Sequence, residues 1–508
     1  MDKQIREVDL TNMGALSNSR SLHNGRKIYS ETVSESGEFH SDVTIMIQAF
    51  NRLDKTKECI ESVLKYTKNV NFDLLLVDNG STDETFEYFK SIEHDKVRII
   101  RFSKNISPNI TWNYISVDII SNYFVVLAND IIVTENWLSN LIKVAESDVK
   151  IGIVNPVSSN VSNFQNVNFE FETFEEMQEK AARFNVSDPR KWHERLRIIT
   201  LGTLIKKECL YAIGLPLVDL GFFHDFADDD IAFRVRRAGY KVVLAKDTWI
   251  HHNHDVFSGE GKDTNKYIES LQIGRQNFLD KYFGIDAWDD VQNYIPEFVY
   301  TVRKSRKSCP RILGIDVRCG TPILEIKNKI REFDAFNAEC YALTEEGKYV
   351  IDLQTVCGAE NVKNAKAHNA RDYFEDGSFD YIVLGNYINS YPEPEKLLEK
   401  MSKLLAKGGQ LFYSLKNSYD VMSFLISIGE RGVSEIKHAI NYTPEEFYNI
   451  SKKYGNVEFL GSAQYVEGTI SDNVVQYAKE KLRTVSVGDY QENLFRLFSD
   501  SFLFCLIK

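Results

Sequence analysis

Long apolar runs are missing from this sequence of 508 residues. None approaches the ~18 residues of a membrane-crossing helix. The longest, such as Tyr123–Leu127 and Leu503–Ile507, are strand-sized. No integral membrane segment is therefore expected, and the polar first residues do not read as a signal peptide. Cysteine is scarce. The seven cysteines are scattered, odd in number and without a Cys-x-x-Cys pair. That is the pattern of reduced, mostly buried thiols in a cytoplasmic protein, and it excludes a disulfide framework. Positive charge is also in deficit: 61 Lys and Arg stand against 73 Asp and Glu, a net charge of −12. General nucleic-acid binding needs a basic face and is excluded. A nucleotide ligand is not, because a metal ion can supply positive charge locally. Repeats and low-complexity tracts are absent as well.

What is present is ordinary globular material, 43% hydrophobic and 26% charged. The chain is too long for one core and fits two or three domains. Residues 1–41 are polar with little periodicity and read as a flexible lead or a strap over the first domain. From Asp42 strands and helices alternate. The pattern predicts strands at Val43–Phe50, Phe72–Val77, Lys96–Phe102 and Tyr123–Leu127, and helices at Asp54–Tyr66, Ser81–Ser91 and Trp112–Ser121. This is an α/β domain with a mostly parallel sheet, spanning 42–295. A basic linker, 296–310, follows. A second α/β unit, 311–508, starts with a strand at Ile312–Val317 and a helix near Ile323–Glu332. It adds strands at Phe379–Leu384 and Gln410–Leu415, a helix at Glu395–Leu405, a helical insert and a closing strand at Ser501–Ile507.

Ligands of doubly wound sheets sit at the carboxyl ends of strands. The first strand here ends Gln48-Ala-Phe-Asn-Arg52, the second Val77-Asp-Asn-Gly-Ser-Thr-Asp83, the fourth Leu127-Ala-Asn-Asp130. Amide and acidic groups at three strand ends make a nucleotide–metal crevice. Alone, Asp78-Asn-Gly-Ser81 reads equally well as a turn and a helix cap.

Taken together these motifs resemble the family 2 glycosyltransferases of the GT-A, Rossmann-like fold. The resemblance implies that Gln48, Phe50 and Arg52 bind the donor nucleotide, with Phe50 flanking its base. It also implies that Asp78 accepts hydrogen bonds from the base, as a carboxylate accepts from a uracil N–H. Asn105 and Asn113 keep the asparagines of a family loop whose glycines are Ser107 and Ile115 here. The Asp-x-Asp metal motif is Ala128-Asn129-Asp130, so Asn129 falls in the donor site and Asp130 becomes the metal ligand. Mg²⁺ or Mn²⁺ suits such a site. Gly202 and Thr203 fall where relatives keep small residues under the donor sugar. Phe226-Ala-Asp-Asp-Asp-Ile-Ala-Phe-Arg-Val-Arg-Arg-Ala-Gly-Tyr240 looks like the family's general-base motif. It points to Asp228, with Asp229 or Asp230 if the register slips, and Ala227 stands where the family has glutamate. Without the resemblance, three acids opening a helix read as an N-terminal cap favoured by the helix dipole. In Trp249-Ile-His-His-Asn-His-Asp255 the resemblance selects His252, then His254 and His251, as metal or diphosphate contacts. Residues 262–284, starting within Gly259-Glu-Gly-Lys262, resemble the family's closing segment and suggest a mobile lid.

Residues ~311–416 resemble class I S-adenosylmethionine-dependent methyltransferases. The matches are Phe379-Asp-Tyr-Ile-Val-Leu384 and Leu404-Leu-Ala-Lys-Gly-Gly-Gln-Leu-Phe-Tyr-Ser414. The cofactor loop has decayed. Asp316 and Arg318 replace glycines that let the backbone approach the cofactor. Thr344 and Glu345 stand near the ribose acid, and Asn389-Ser390 replaces a Glu-His pair. S-adenosylmethionine is therefore not expected to bind, and this domain is expected to hold an acceptor, a partner or a second copy of the chain.

The function implied is an inverting, metal-dependent transfer of sugar from a nucleotide-diphosphate donor. UDP-N-acetylglucosamine is the first candidate and dTDP-rhamnose the second. The acceptor is a hydroxyl of a protein, flagellin for example, or of a surface glycan. Two alternatives remain: a bifunctional glycosyltransferase and methyltransferase, and a non-catalytic nucleotide-sugar-binding protein.

Overall fold

Val43, Ile45, Met46 and Ile47 are all fully buried, so the first long strand is covered on both faces. In the computed structural model this strand sits inside a ten-stranded sheet. The structure describes residues 4–8, 10–11, 18–36, 41–222, 225–254, 264–421, 441–465, 471–485 and 488–508. The chain divides into two units, Met1–Gln292 and Asn293–Lys508.

The first unit runs β1 (Gln4–Val8), β2 (Val43–Ala49), β3 (Phe72–Asp78), β4 (Val97–Phe102), β5 (Tyr123–Ala128), β6 (Ile131–Ile132), β7 (Ile151–Ser158), β8 (Trp192–Arg195), β9 (Thr203–Lys206) and β10 (Lys241–His252). The sheet order is β1-β4-β3-β2-β5-β9-β7-β10-β6, with β8 pairing β10 off this path. β1 through β5 are mutually parallel along that order, and β9 runs antiparallel between β5 and β7. The helix Leu53–Tyr66 lays Cys59, Ile60 and Val63 on one face of the sheet, and Trp137–Glu146 adds Leu138, Leu141 and Val144 to the same core. Long parallel strands with helices over them are what the strand–helix alternation required.

Two expectations are sharpened. The residues expected as a flexible lead or a strap over the first domain contribute β1, paired with β4, and a helix at Ser19–Ser36. Charge anchors them: Arg6 pairs with the buried Asp118, and Arg26 donates to the Ser116 carbonyl at 3.2 Å. The helix expected at Trp112–Ser121 starts earlier, at Pro108, and gives way to a 3-10 turn at Ser116–Asp118. Proline fits the first helical turn, where no backbone N–H is needed. The segment expected as a lid is a helix at Thr264–Lys281, and its start, Gly259-Glu-Gly-Lys262, lies outside the described residues.

The second unit contains β11 (Arg311–Ile315), β12 (Glu339–Thr344), β13 (Val362–Asn364), β14 (Phe379–Leu384), β15 (Leu405–Lys416), β16 (Asn456–Gln464) and β17 (Ser499–Ile507). Their order is β13-β12-β11-β14-β15-β17-β16, parallel except for β17, which is antiparallel to both neighbours. The basic run expected as a linker lies against this sheet. Ser305 and Lys307 meet Asp380 at 2.9 and 3.2 Å, and the Arg303 amide donates to Gln410 at 2.7 Å. No disulfide joins any of the seven cysteines, of which Cys309 is exposed and six are buried. Among the described residues no helix is long and apolar enough to cross a membrane.

Candidate active site

The turn after β2 and the turn after β3 are laced together. The Asn51 amide donates to Ser81 Oγ at 2.9 Å, and the Thr82 amide to Asn51 Oδ1 at 2.8 Å. This holds Asn51 and Arg52 in the left-handed region, at φ 55° and 61°, just before the helix Leu53–Tyr66 begins. Phe50 is thereby turned outward, 41% exposed. It lines a cleft of about 560 Å³ together with Gln48, Asn105, Asn129, Trp112 and Thr200. Gln48 is steadied by Thr111, whose hydroxyl donates to it at 2.8 Å. Asn129 donates to Thr56 at 3.0 Å.

Beside Asn129 is Asp130. β6 pairs antiparallel with the end of β10, setting Ile131 opposite His252, and the Asn253 amide donates to the Asp130 carbonyl at 2.8 Å. His252 Nε2 and His254 Nδ1 come within 3.6 and 3.5 Å of the Asp130 carboxylate, and Arg52 within 3.4 Å. The two imidazoles stack with centroids 5.0 Å apart. One donor atom from each of Asp130, His252 and His254 lies within 4.8 Å of the others, a grouping able to hold a metal ion. His252 Nδ1 faces the Asn160 carbonyl at 3.1 Å. A carbonyl only accepts, so Nδ1 donates there, and Nε2 is the ring nitrogen that faces Asp130. Burial pushes the Asp130 carboxyl up, but His252, His254 and Arg52 outweigh it and hold it below the usual range. His251 points elsewhere. It meets Ser159 Oγ at 2.8 Å, and burial with the neighbouring His252 and Lys55 lowers it to about 4.

The three aspartates open the helix Ala227–Arg237 and take different roles. Asp230 is fully buried. It accepts from Tyr282 at 2.6 Å and Arg234 at 2.9 Å, and pairs with Lys281. Asp229 is buried against Arg197. Burial raises it to about 6 despite Arg197, and Asp228 and Asp230 add to the rise. Asp228 alone of the three is partly exposed, and Thr200, a cleft residue, donates its hydroxyl to it.

Five expected donor contacts are not among the residues lining the cleft: Arg52, which pairs with Asp130, and Asp78, Asn113, Gly202 and Thr203. Asp78 is fully buried, accepts from the Ser81 amide at 2.8 Å and pairs with Arg101 at 3.3 Å. It acts as the turn cap that its local sequence also allowed. Asn79, one residue on, lines the cleft instead and donates to Asn105 at 2.8 Å. Asn113 is buried and clamps Val218 with both ends of its amide, at 2.8 and 2.7 Å. Gly202 and Thr203 are buried beneath the cleft floor, Thr203 pairing with Val126 of β5. Sequence reasoning missed Asn79, Trp112 and Thr200. For Asn79, strand alternation offered a signal, since neighbours on a strand face opposite ways.

In the second unit the residues of the corresponding turn are bonded within the protein. Asp316 and Arg318 adopt φ 51° and 53°, the left-handed conformation that glycine would hold without strain. The Asp316 carboxylate accepts from Tyr391 Oη at 2.9 Å and the Glu345 amide at 3.2 Å. Burial raises its pKa despite these bonds. Asn389 exchanges two hydrogen bonds with the Lys416 backbone, at 3.0 and 2.9 Å.

Residues 44–199 match the family model described as Glycosyl transferase family 2, and residues 332–413 match the one described as Methyltransferase domain. Asp228, His252 and His254 lie beyond the first match. An uncharacterized protein, y4gI, of Sinorhizobium fredii is 31% identical over 109 residues, 20% of this chain and 12% of that protein. An uncharacterized glycosyltransferase of Rickettsia felis is 37% identical over 89 residues, 17% of this chain and 14% of that protein. The matches thus cover only 12% and 14% of these curated relatives' lengths. A crystal structure of GalNAc-T7 with UDP, GalNAc and Mn²⁺ is similar at a TM-score of 0.36 and 12% identity, covering 46% of this chain and 48% of that one.

Proposed function

We propose, from the premise that the chain joins a family 2 glycosyltransferase domain to a methyltransferase-type domain, that it is an inverting, metal-dependent glycosyltransferase working in the cytoplasm. One observation carries this reading. Thr200 both lines the cleft that Phe50 flanks and donates a hydrogen bond to Asp228. A carboxylate is thereby tied to the wall of a nucleotide-sized cleft whose far side adjoins the Asp130–His252–His254 group.

In this reading Phe50 and Trp112 flank the base, and Gln48, Asn79, Asn105 and Asn129 supply its polar contacts. Asp228 takes the proton of the acceptor hydroxyl as that oxygen attacks the anomeric carbon from the face opposite the leaving group. Asp229 and Asp230 hold the helix that carries it. The metal donors are one carboxylate oxygen and two imidazole nitrogens. Two imidazoles move the preference from Mg²⁺ toward a first-row transition ion such as Mn²⁺. Bound there, the cation supplies positive charge to the departing nucleoside diphosphate.

The donor is a nucleotide-diphosphate sugar, UDP-N-acetylglucosamine before dTDP-rhamnose. The acceptor is a protein hydroxyl, as in flagellin, or a surface glycan. The second unit binds acceptor, partner or a second copy rather than S-adenosylmethionine, because Asp316 is bonded to Tyr391 within the protein. A bifunctional enzyme is therefore disfavoured. A thermal-shift screen of nucleotide sugars with Mn²⁺ tests the whole reading, since a ligand of the native state raises Tm by mass action. UDP-linked compounds are expected to give the largest shift. If no UDP- or dTDP-linked compound moves Tm, the reading falls.

A further inference from the structure

Arg52 stands between the two halves of the candidate site. Its guanidinium lies 3.4 Å from Asp130 Oδ2, the same oxygen that His254 Nδ1 approaches at 3.5 Å. The two partners differ in how they are held. Asp130 is 10% exposed at its side chain and follows directly on a sheet strand, whereas Arg52 reaches in from the rim with 39% of its side chain exposed. Its backbone is fixed in the left-handed region by the Asn51–Ser81–Thr82 lacing, so the loop stays while the long side chain can swing. Phe50, two residues earlier on the same turn, lines the cleft.

A cation that binds Asp130, His252 and His254 must therefore take a carboxylate that a guanidinium already attends. Two cations at close range on one carboxylate repel each other. Once turned away from Asp130, the guanidinium is still carried on the turn whose Phe50 lines the cleft. A donor diphosphate bound in the proposed site would be an anion within its reach, which a planar guanidinium fits with paired hydrogen bonds.

We infer that Arg52 is an exchangeable counter-ion: it occupies Asp130 in the metal-free protein and transfers to the donor diphosphate when a divalent cation takes its place. Metal and nucleotide then favour each other's binding, and the coupling is reciprocal. This inference rests on the metal site proposed above.

The test is calorimetric titration of the full chain with Mn²⁺ alone, and with UDP at saturating Mn²⁺, in wild type, Arg52→Met, Arg52→Gln and Arg52→Lys. Removing the charge is expected to tighten Mn²⁺ alone about threefold, the scale of one partly exposed ion pair. It is expected to weaken UDP about tenfold, the scale of a lost charge-assisted contact. Arg52→Lys keeps the charge and should leave Mn²⁺ binding near wild type. The Gln variant repeats the charge loss with a different shape, so a folding defect in the Met variant does not decide the matter. Unchanged or weaker Mn²⁺ binding in both neutral variants overturns the inference alone. UDP binding to wild type without any Mn²⁺ binding overturns the metal site and the inference together.

Discussion

At the carboxyl end of β2, Phe50 turns out to line an open cleft and Arg52 reaches Asp130. At the carboxyl end of β11, Asp316 turns inward, and Tyr391 and the Glu345 amide take its carboxylate. Both turns use left-handed, non-glycine residues, and both follow a parallel strand flanked by two strands that come later in the chain. The left-handed turn is thus retained twice, but in the second unit its carboxylate is bonded within the protein, whereas in the first an aromatic ring lines an open cleft. Side chains, not topology, decide which end of a sheet can do chemistry.

The sharpest way to test that contrast is Asp228→Asn. It should lower kcat on the order of 10³-fold, within the range of a lost general base, while UDP affinity by calorimetry stays near wild type. An unchanged kcat would remove Asp228 from the mechanism and point to Asp229. Asp130→Ala should cost on the order of 10²- to 10³-fold in turnover, several kcal/mol of charge stabilisation, and should abolish dependence on Mn²⁺. Retained metal dependence would move the ion elsewhere.

A pH measurement probes the buried neighbour. Burial raises Asp229 to about 6, from an ordinary carboxyl value of 3.8. The folded state therefore holds the proton over a window in which the unfolded state has lost it. Stability is fully present below about pH 4 and falls as pH rises toward 6, by about 2–3 kcal/mol. Denaturation curves of wild type and Asp229→Asn should show the difference between them shifting against wild type across that window. Parallel pH profiles would contradict it.

The smallest effect belongs to the second unit. Asp316→Ala should destabilise by about 1–2 kcal/mol, because Tyr391 and the Glu345 amide lose their acceptor. S-adenosylmethionine should leave Tm unmoved in wild type. A clear shift would break the contrast between the two crevices and revive a second reaction.

Much of this was legible in the residues. β14 falls at Phe379–Leu384 as expected, because its apolar run is bounded by turn residues on both sides. Asp130, His252 and His254 were expected from the family resemblance, and the pairing of β6 with the end of β10 brings them together. Asp78 and Asn79 were not separable, since both belong to one polar run and only the pleat tells which faces the cleft. Thr200 left no trace in local pattern. It reaches Asp228 across 28 residues through the tertiary fold. The amino-terminal strand was hidden because its place depends on pairing with β4 and on Asp118, more than a hundred residues from Arg6. Polar composition near Arg6 gave no hint of that partner.

The distribution of thiols makes the protein its own reporter. Cys309 is exposed while Cys59 and Cys209 are buried in the first unit and Cys319, Cys340, Cys357 and Cys505 in the second. A maleimide dye added to the native chain should therefore attach at one position, with no cysteine removed by mutagenesis. Every later attachment must wait for a local opening. Peptide mapping of a labelling time course would then reveal which half of the chain breathes first, and whether a nucleotide sugar slows only the half that binds it.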